Sequence, residues 1–142
     1  MSTTSNQQQQ HKPTAHFKTT LWASRTAPKN NARRAGWRVE KPLIYWSPIA
    51  GQIIVEPGFE TDFASVPRLP FAFLLFGDRV HAAAVVHDWL VIRLYRVRRM
   101  SWRECAVIFH EAMRALGAPF WQRWPMYWAV RFYGLAARKD AS

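Results

Sequence analysis

Two short runs rich in β-branched and aromatic residues place the strongest constraint on the fold of this chain. They occupy residues 43–46 and 52–55, and the segment between them, residues 47–51, contains both Pro and Gly. Such runs favour β-strands, and a short segment of this kind between them is typical of a hairpin with a five-residue loop. Because an isolated hairpin is only marginally stable in water, it must pack against the sequence that follows.

The sequence after residue 78 predicts helices. The first is expected from about residue 79 to 96, with Asp78 as its N-cap. Ser101 and Glu104 have the spacing of a capping box, in which each side chain bonds the backbone amide of the other residue, so a second helix begins there. Gly117 is suited to end that helix, because glycine readily adopts the left-handed conformation of a helix C-terminus.

A third helix is predicted from about residue 119 to 137, with a kink or a restart near Pro125. Four of its aromatic residues share one helical stripe, which favours burial against the hairpin. They are Trp121, Trp124, Trp128 and Phe132. The alternative is that the aromatic and arginine side chains of this helix form an interface with a membrane or a protein partner. The predicted fold class is α+β, with a short antiparallel β-hairpin packed on about three α-helices.

The first 36 residues have a different composition from the rest of the chain. They are polar, include four consecutive glutamines, and cannot bury enough apolar surface to offset the entropy of ordering. We therefore predict a disordered basic N-terminal arm, residues 1–36, followed by a single compact domain, residues 37–142. Three apolar residues are exceptions that could dock on the domain or on a partner: Phe17, Leu21 and Trp22.

Positive charge is concentrated in two parts of the chain. The formal net charge is +11, and residues 1–38 carry seven basic residues and no acidic one. Nucleic-acid binding through the arm is therefore possible. A second cluster comprises Arg93, Arg96, Arg98, Arg99 and Arg103. It could contact phosphate groups of nucleic acid or lipid, or it could be a solvated basic face.

Length and composition exclude several classes of protein. The chain of 142 residues is long enough for one domain with a hydrophobic core, and a single cysteine, Cys105, excludes an intramolecular disulfide framework. No apolar run reaches the roughly twenty residues needed to span a bilayer. The N-terminus has no apolar region, so neither a transmembrane segment nor a signal peptide is expected.

Asp62, His87 and Asp88 form the tightest grouping of titratable residues within otherwise apolar sequence. His87 and Asp88 are adjacent on a predicted helix, so their side chains point about 100° apart and would have separate tasks. A neutral imidazole at His87 could take a proton from water, while Asp88 could ligate a hard cation such as calcium. Asp62 could supply a further oxygen ligand or orient the imidazole of His87. Alternatively, a buried His-Asp pair could fix the turn at residues 58–67 without any catalytic role.

Three motifs resemble the domain of unknown function 1353 family, small proteins found mainly in phages and prophages. They are the run GFETDFASVP at residues 58–67, the run HDWL at residues 87–90, and the run FHEAMRALG at residues 109–117. The resemblance extends over roughly residues 37–137. It implies a location in a phage particle or in the cytoplasm of a bacterial host, with phage structural proteins or further copies of the chain as partners.

The helix carrying His87 and Asp88 is also similar to that of phospholipases A2. This similarity implies His87 as the general base, Asp88 as a calcium ligand and membrane phospholipid as the substrate. Members of the domain of unknown function 1353 family usually have Tyr directly after the His-Asp-Trp-Leu motif, where this chain has Val91. They also usually have Asp on the later helix, where this chain has Ala106. An imidazole without an orienting partner loses control of its tautomer, a defect that costs about four orders of magnitude in serine proteases.

Two functions therefore remain open, and whether the protein is an enzyme is not decided. The first is a non-catalytic virion or assembly-associated protein that binds a partner through its basic arm and aromatic surface. The second is a calcium-assisted lipid or ester hydrolase, used in entry or lysis, with catalytic residues His87, Asp88 and Asp62.

Overall fold

The computed structural model describes residues 14–27, 36–61 and 79–139. The elements, in chain order, are β1 (His16–Phe17), β2 (Ala23–Arg25), β3 (Trp37–Val39), β4 (Leu43–Ser47), β5 (Gly51–Val55), β6 (Glu60–Thr61), α1 (Arg79–Leu90), a π-helical segment (Val91–Tyr95), α2 (Trp102–Ala115) and α3 (Phe120–Lys139). Two three-stranded antiparallel sheets have the strand orders β1-β4-β5 and β2-β3-β6. The α+β class is confirmed.

The predicted hairpin is formed by β4 and β5. Tyr45 pairs with Ile53 and Ile44 pairs with Ile54, so buried and outward-facing residues alternate along both strands. Ser47 pairs with Gly51, which leaves a loop of residues 48–50, shorter than the predicted one. Gly51 has φ 74°, the left-handed conformation that closes a three-residue hairpin loop.

Part of the predicted arm belongs to these sheets. Phe17 in β1 pairs with Tyr45, and their rings lie 4.7 Å apart. The β2 strand pairs with β3 in the second sheet. Phe17 was expected to dock either on the domain or on a partner, and it is observed to dock on the domain. The rest of the predicted arm, residues 1–13 and 28–35, lies outside the described residues.

Helix α1 passes through the centre of the hydrophobic core. Every residue from 82 to 88 is buried, and the helix contacts both α2 and β5. The three alanines at 82–84 allow this close approach because their side chains are small. The helix predicted to reach Arg96 is α-helical only to Leu90, and Val91–Tyr95 continues it as a π-helix. Its predicted N-cap, Asp78, lies outside the described residues.

The capping box at the start of α2 is confirmed. The backbone amide of Glu104 donates to Ser101 Oγ at 3.2 Å, and the amide of Ser101 donates to Glu104 Oε2 at 2.7 Å. These hydrogen bonds hold the pKa of Glu104 below its usual range. After Ala115 the helix ends at Gly117, whose φ of 81° has the predicted left-handed value.

Helix α3 packs against α2 through a face different from the predicted one. Met126 and Val130 are buried, and the indole Nε1 of Trp102 donates to the carbonyl oxygen of Val130 at 2.8 Å. A Cβ atom at Gly134 would lie only 2.0 Å from the Trp102 indole, so this helix contact requires glycine. The helix continues through Pro125 without the restart considered above.

The predicted burial of one aromatic stripe on α3 is wrong. Its four residues, Trp121, Trp124, Trp128 and Phe132, are all exposed. The physical reason is that α3 packs mainly on α2, and the small residue Gly134 lets the large Trp102 ring approach that face. Large aromatic side chains cannot occupy the same contact, so they point away from it. Among the helices in the described ranges, none is long and apolar enough to cross a membrane.

Candidate functional site

His87 lies inside the core rather than at its surface. Its exposure is 0%, and its ring is 5.7 Å from the ring of Trp102, edge to face, and 5.2 Å from that of Phe109. Burial among these rings lowers the pKa of His87 to about 3, because a charged imidazolium would lose its hydration. The imidazole is therefore neutral at physiological pH, which a general base requires, but it is enclosed by aromatic side chains.

The neighbouring carboxylate of Asp88 is also buried and joins α1 to a strand. Thr61 in β6 donates its hydroxyl hydrogen to Asp88 Oδ2. Sequence reasoning missed Thr61, although it directly precedes Asp62 in the motif at residues 58–67. The hydrogen bond connects the HDWL motif to the segment that begins at residue 58. Such a contact is expected if His87 and Asp88 stabilise the fold rather than catalyse a reaction.

Asp62 lies outside the described residues, so its proximity to His87 and Asp88 stays a prediction. The same holds for its proposed role as a calcium ligand with Asp88. Within residues 14–27, 36–61 and 79–139, no three His, Cys, Asp or Glu side chains are grouped closely enough to hold a metal ion.

The side of α2 that faces His87 is apolar. Trp102, Ala106 and Phe109 have the i, i+4, i+7 spacing that places them on one face of α2, and all three are buried. Ala106 thus lies between the two rings that contact the imidazole. Val91, one turn after His87, is buried as well. Neither position supplies the carboxylate or hydroxyl that would orient the imidazole in a phospholipase A2.

Glu56 forms a second polar link next to the His-Asp pair. Its carboxylate accepts hydrogen bonds from the indole Nε1 of Trp89, at 2.7 Å, and from Arg93. Partial burial acts to raise the pKa of Glu56, but these hydrogen bonds hold it below its usual range. The end of α1 is thereby fastened to the turn after β5. The two polar links of this region therefore attach α1 to β6, through Thr61 and Asp88, and to the turn after β5, through Glu56 and Trp89.

Helix α3 carries six large aromatic side chains, each 45–65% exposed. We call this set the aromatic row. It consists of Phe120, Trp121, Trp124, Trp128, Phe132 and Tyr133. Several of its rings are already packed together. Trp128 stacks on Phe132 at 5.8 Å, and half-buried Tyr127 makes edge-to-face contacts with Trp124 and Trp128.

The charge around the aromatic row is positive. Helix α3 contains no Asp or Glu, and it carries Arg123 and Arg131. His110 on α2 packs on the ring of Trp124 at 4.6 Å, and burial together with the nearby Arg123 and Arg114 lowers its pKa. These surroundings disfavour the protonated form of His110, which would add a further positive charge.

Comparison with known families gives one assignment. The family described as protein of unknown function (DUF1353) matches residues 37–130, which is more than half of the chain. The chain therefore belongs to that family, as the three motifs indicated. No curated protein and no solved structure matched the chain. The matched range ends within α3 and includes the His-Asp pair and the first four residues of the aromatic row.

Proposed function

We propose that this protein is a non-catalytic virion or assembly-associated protein, encoded by a phage or prophage, that binds another protein through the aromatic row of α3. The observation that carries the proposal is the exposure of six large aromatic side chains on one helix, four of which share one stripe. Tryptophan, tyrosine and arginine are the residue types that contribute most to protein–protein affinity. An apolar face of this extent on a single helix is typical of an interaction site.

The arrangement of the rings supports recognition of a structured surface. Trp128 and Phe132 are stacked, and Tyr127 supports Trp124 and Trp128 from below. Side chains that are already ordered lose little conformational entropy when they bind. A fluid lipid surface needs no such ordering, because it adapts to the side chains that enter it.

The charge of α3 favours a different protein, rather than a second copy of the chain, as the partner that binds the aromatic row. Two copies joined through their aromatic rows would bring the Arg131 side chains of both helices close together, with no carboxylate on α3 to offset them. Like charges brought together in this way oppose association. The occupant that fits best is therefore an apolar groove on another protein, bordered by Asp and Glu side chains.

The environment of His87 supports a non-catalytic role. A general base must come within hydrogen-bonding reach of the water it activates. His87 is fully buried against Trp102 and Phe109. We infer that His87 and Asp88 hold the core together while α3 performs the binding. The hydrolase alternative rests on Asp62 and on the similarity to phospholipases A2, and no contact among the described residues favours it.

Site-specific photo-crosslinking tests the proposal. A photoreactive phenylalanine analogue replaces Trp128 in the full chain during particle production in the bacterial host, and crosslinked peptides are identified by mass spectrometry. We expect one protein whose crosslinked peptides are rich in Asp and Glu. The Trp121→Ser/Trp124→Ser double variant should reduce this crosslink at least about tenfold, as expected for the loss of interface anchors.

Trp22 provides the matched control. It is 57% exposed, lies outside α3 and contacts Lys41 through its ring. Trp22→Ser should leave the crosslink unchanged. A crosslink only to other copies of the chain, or only to lipid, would contradict the proposal. So would calcium-dependent release of fatty acid from liposomes by the wild-type protein that is lost in His87→Gln.

A further inference from the structure

A second surface feature lies where the π-helical segment turns into α2. It is a cavity of about 810 Å³. Its wall includes Tyr95, Arg96, Arg98, Arg99, Ser101 and Glu104. None of the residues lining it belongs to α3, so the cavity is separate from the aromatic row. Its volume falls within the usual range of small-molecule sites.

Backbone hydrogen bonds fix the turn that brings the three arginines to one cavity. The amide of Arg96 donates to the carbonyl oxygen of Val91 at 3.1 Å, and that of Arg99 donates to Leu94 at 2.9 Å. Arg98 itself has φ 57°, a left-handed conformation that is uncommon for a residue with a Cβ atom. The chain thus reverses direction within a few residues, and the guanidinium groups line a common wall.

The wall is rich in hydrogen-bond donors. In the described part of the chain, the two ion pairs are Arg93–Glu56 and Arg38–Glu60, and neither involves Arg96, Arg98 or Arg99. The carboxylate of the wall, Glu104, accepts hydrogen bonds from the amide and the hydroxyl of Ser101. Three arginines without an ion pair among the described residues therefore line the cavity together with one carboxylate that is already hydrogen-bonded.

We propose that this cavity binds a phosphate group, carried either by a small soluble phosphomonoester or by a lipid headgroup. Guanidinium groups present paired N–H donors that match two phosphate oxygens at once. A phosphomonoester carries a charge of roughly −1.5 to −2 at neutral pH, which balances the excess of positive charge on the wall. A concave site suits a terminal phosphate better than it suits a continuous nucleic-acid strand, which needs an extended basic track.

Isothermal titration of the full chain with inorganic phosphate and with glycerol 3-phosphate tests the proposal. We expect saturable binding of one ligand per chain that weakens as salt is added. Arg98→Gly should lower the affinity about tenfold or more, as expected for the loss of a charge-assisted hydrogen bond. The variant should fold normally, because glycine adopts the backbone conformation of Arg98 without strain.

The matched control is Arg103→Gln, which removes the same charge from an exposed position on α2 outside the cavity wall. It should change the affinity by no more than about twofold, in line with a screened surface charge. Absence of saturable binding to the wild type at millimolar phosphate would overturn the proposal. Equal losses in Arg98→Gly and Arg103→Gln would also overturn it, because they would indicate a response to net charge.

Vesicle flotation distinguishes the two sources of the phosphate group. Binding to phosphatidylcholine vesicles that depends on added phosphatidic acid and on Arg98 identifies a lipid headgroup. Binding of soluble phosphate without vesicle binding identifies a soluble ligand. Tight binding of a single-stranded oligonucleotide that neither Arg98→Gly nor added phosphate weakens, with no binding of the small phosphates, would overturn the proposal.

Discussion

The polar pair on α1 and the aromatic row on α3 occupy the opposite environments from those usual for their residue types. His87 and Asp88, which titrate, are buried, whereas six large aromatic side chains are exposed on α3. A buried polar group is tolerated when it is hydrogen-bonded, and Thr61 donates a hydrogen bond to Oδ2 of Asp88. An exposed aromatic face is tolerated when it serves binding. The comparison suggests that α1 maintains the fold and α3 contacts the partner.

The largest effect is expected when one residue from each region is replaced by alanine and the free energies of unfolding are compared. His87→Ala should lower the free energy of unfolding by about 3–4 kcal/mol, because it leaves a cavity between Trp102 and Phe109. Trp128→Ala should cost about 1 kcal/mol or less, since half of that side chain is already in water. Urea unfolding followed by circular dichroism measures both. The reverse order would mean that the aromatic row is structural.

Gly134→Ala tests whether α3 depends on its contact with Trp102. The added methyl group would overlap the indole, and the resulting displacement should cost about 2–3 kcal/mol. Thermal or urea unfolding gives the value. Adding Trp102→Phe should recover part of the loss, because the smaller ring leaves room for the methyl group. Strictly additive effects of the two substitutions would show that the contact is not as close as described.

Thr61→Val tests the hydrogen bond to Asp88. Removal of the hydroxyl leaves the buried carboxylate with one donor fewer, which should cost about 1–2 kcal/mol. Thr61→Ser keeps the hydroxyl and should cost less than Thr61→Val. Equilibrium unfolding in urea measures both variants. If Thr61→Val is as stable as the wild type, the His-Asp pair is not anchored through β6.

A final test is the pH dependence of stability that arises from His87. Its pKa is about 3 in the folded protein against 6.5 for an ordinary histidine, so the unfolded chain binds more protons between these values. Stability from this group is complete above about pH 6.5 and is lost as the pH falls toward 3. The loss should approach about 1 kcal/mol per pH unit.

His87→Gln provides the reference for that measurement. Carboxylates that titrate over the same range, such as Glu56 and Glu104, are present in both proteins and largely cancel in the difference. Urea midpoints at pH 7 and pH 5 should therefore converge between wild type and variant as the pH is lowered. Parallel curves would show that the imidazole is protonated as easily in the folded protein as in the unfolded chain, and so is accessible to solvent.

Local sequence patterns predicted most of the individual elements. The runs at residues 43–46 and 52–55 predicted the hairpin, and Ser101 with Glu104 predicted the start of α2. Gly117 predicted its end. These features depend on hydrogen bonds and backbone preferences within a few residues, so they can be recognised without knowledge of the rest of the chain.

The candidate site was only partly predictable. The sequence identified His87 and Asp88, but not that Thr61 bonds Asp88 or that Trp102 and Phe109 enclose His87. These partners are separated from the pair by 15 to 27 positions in the chain. Their meeting depends on how α1, α2 and β6 pack together. The role of Asp62 stays a prediction.

The sequence by itself determined the α+β class, the hairpin, the two ends of α2 and the family, because each depends on local pattern or on short motifs. Only the tertiary structure decided which face of α3 is buried. The aromatic stripe has the periodicity of a core face. The opposite face nevertheless packs on α2, because Gly134 has no side chain and the Trp102 ring can lie directly against it. Packing between two helices selects the face that permits close approach, and hydrophobicity alone does not specify it.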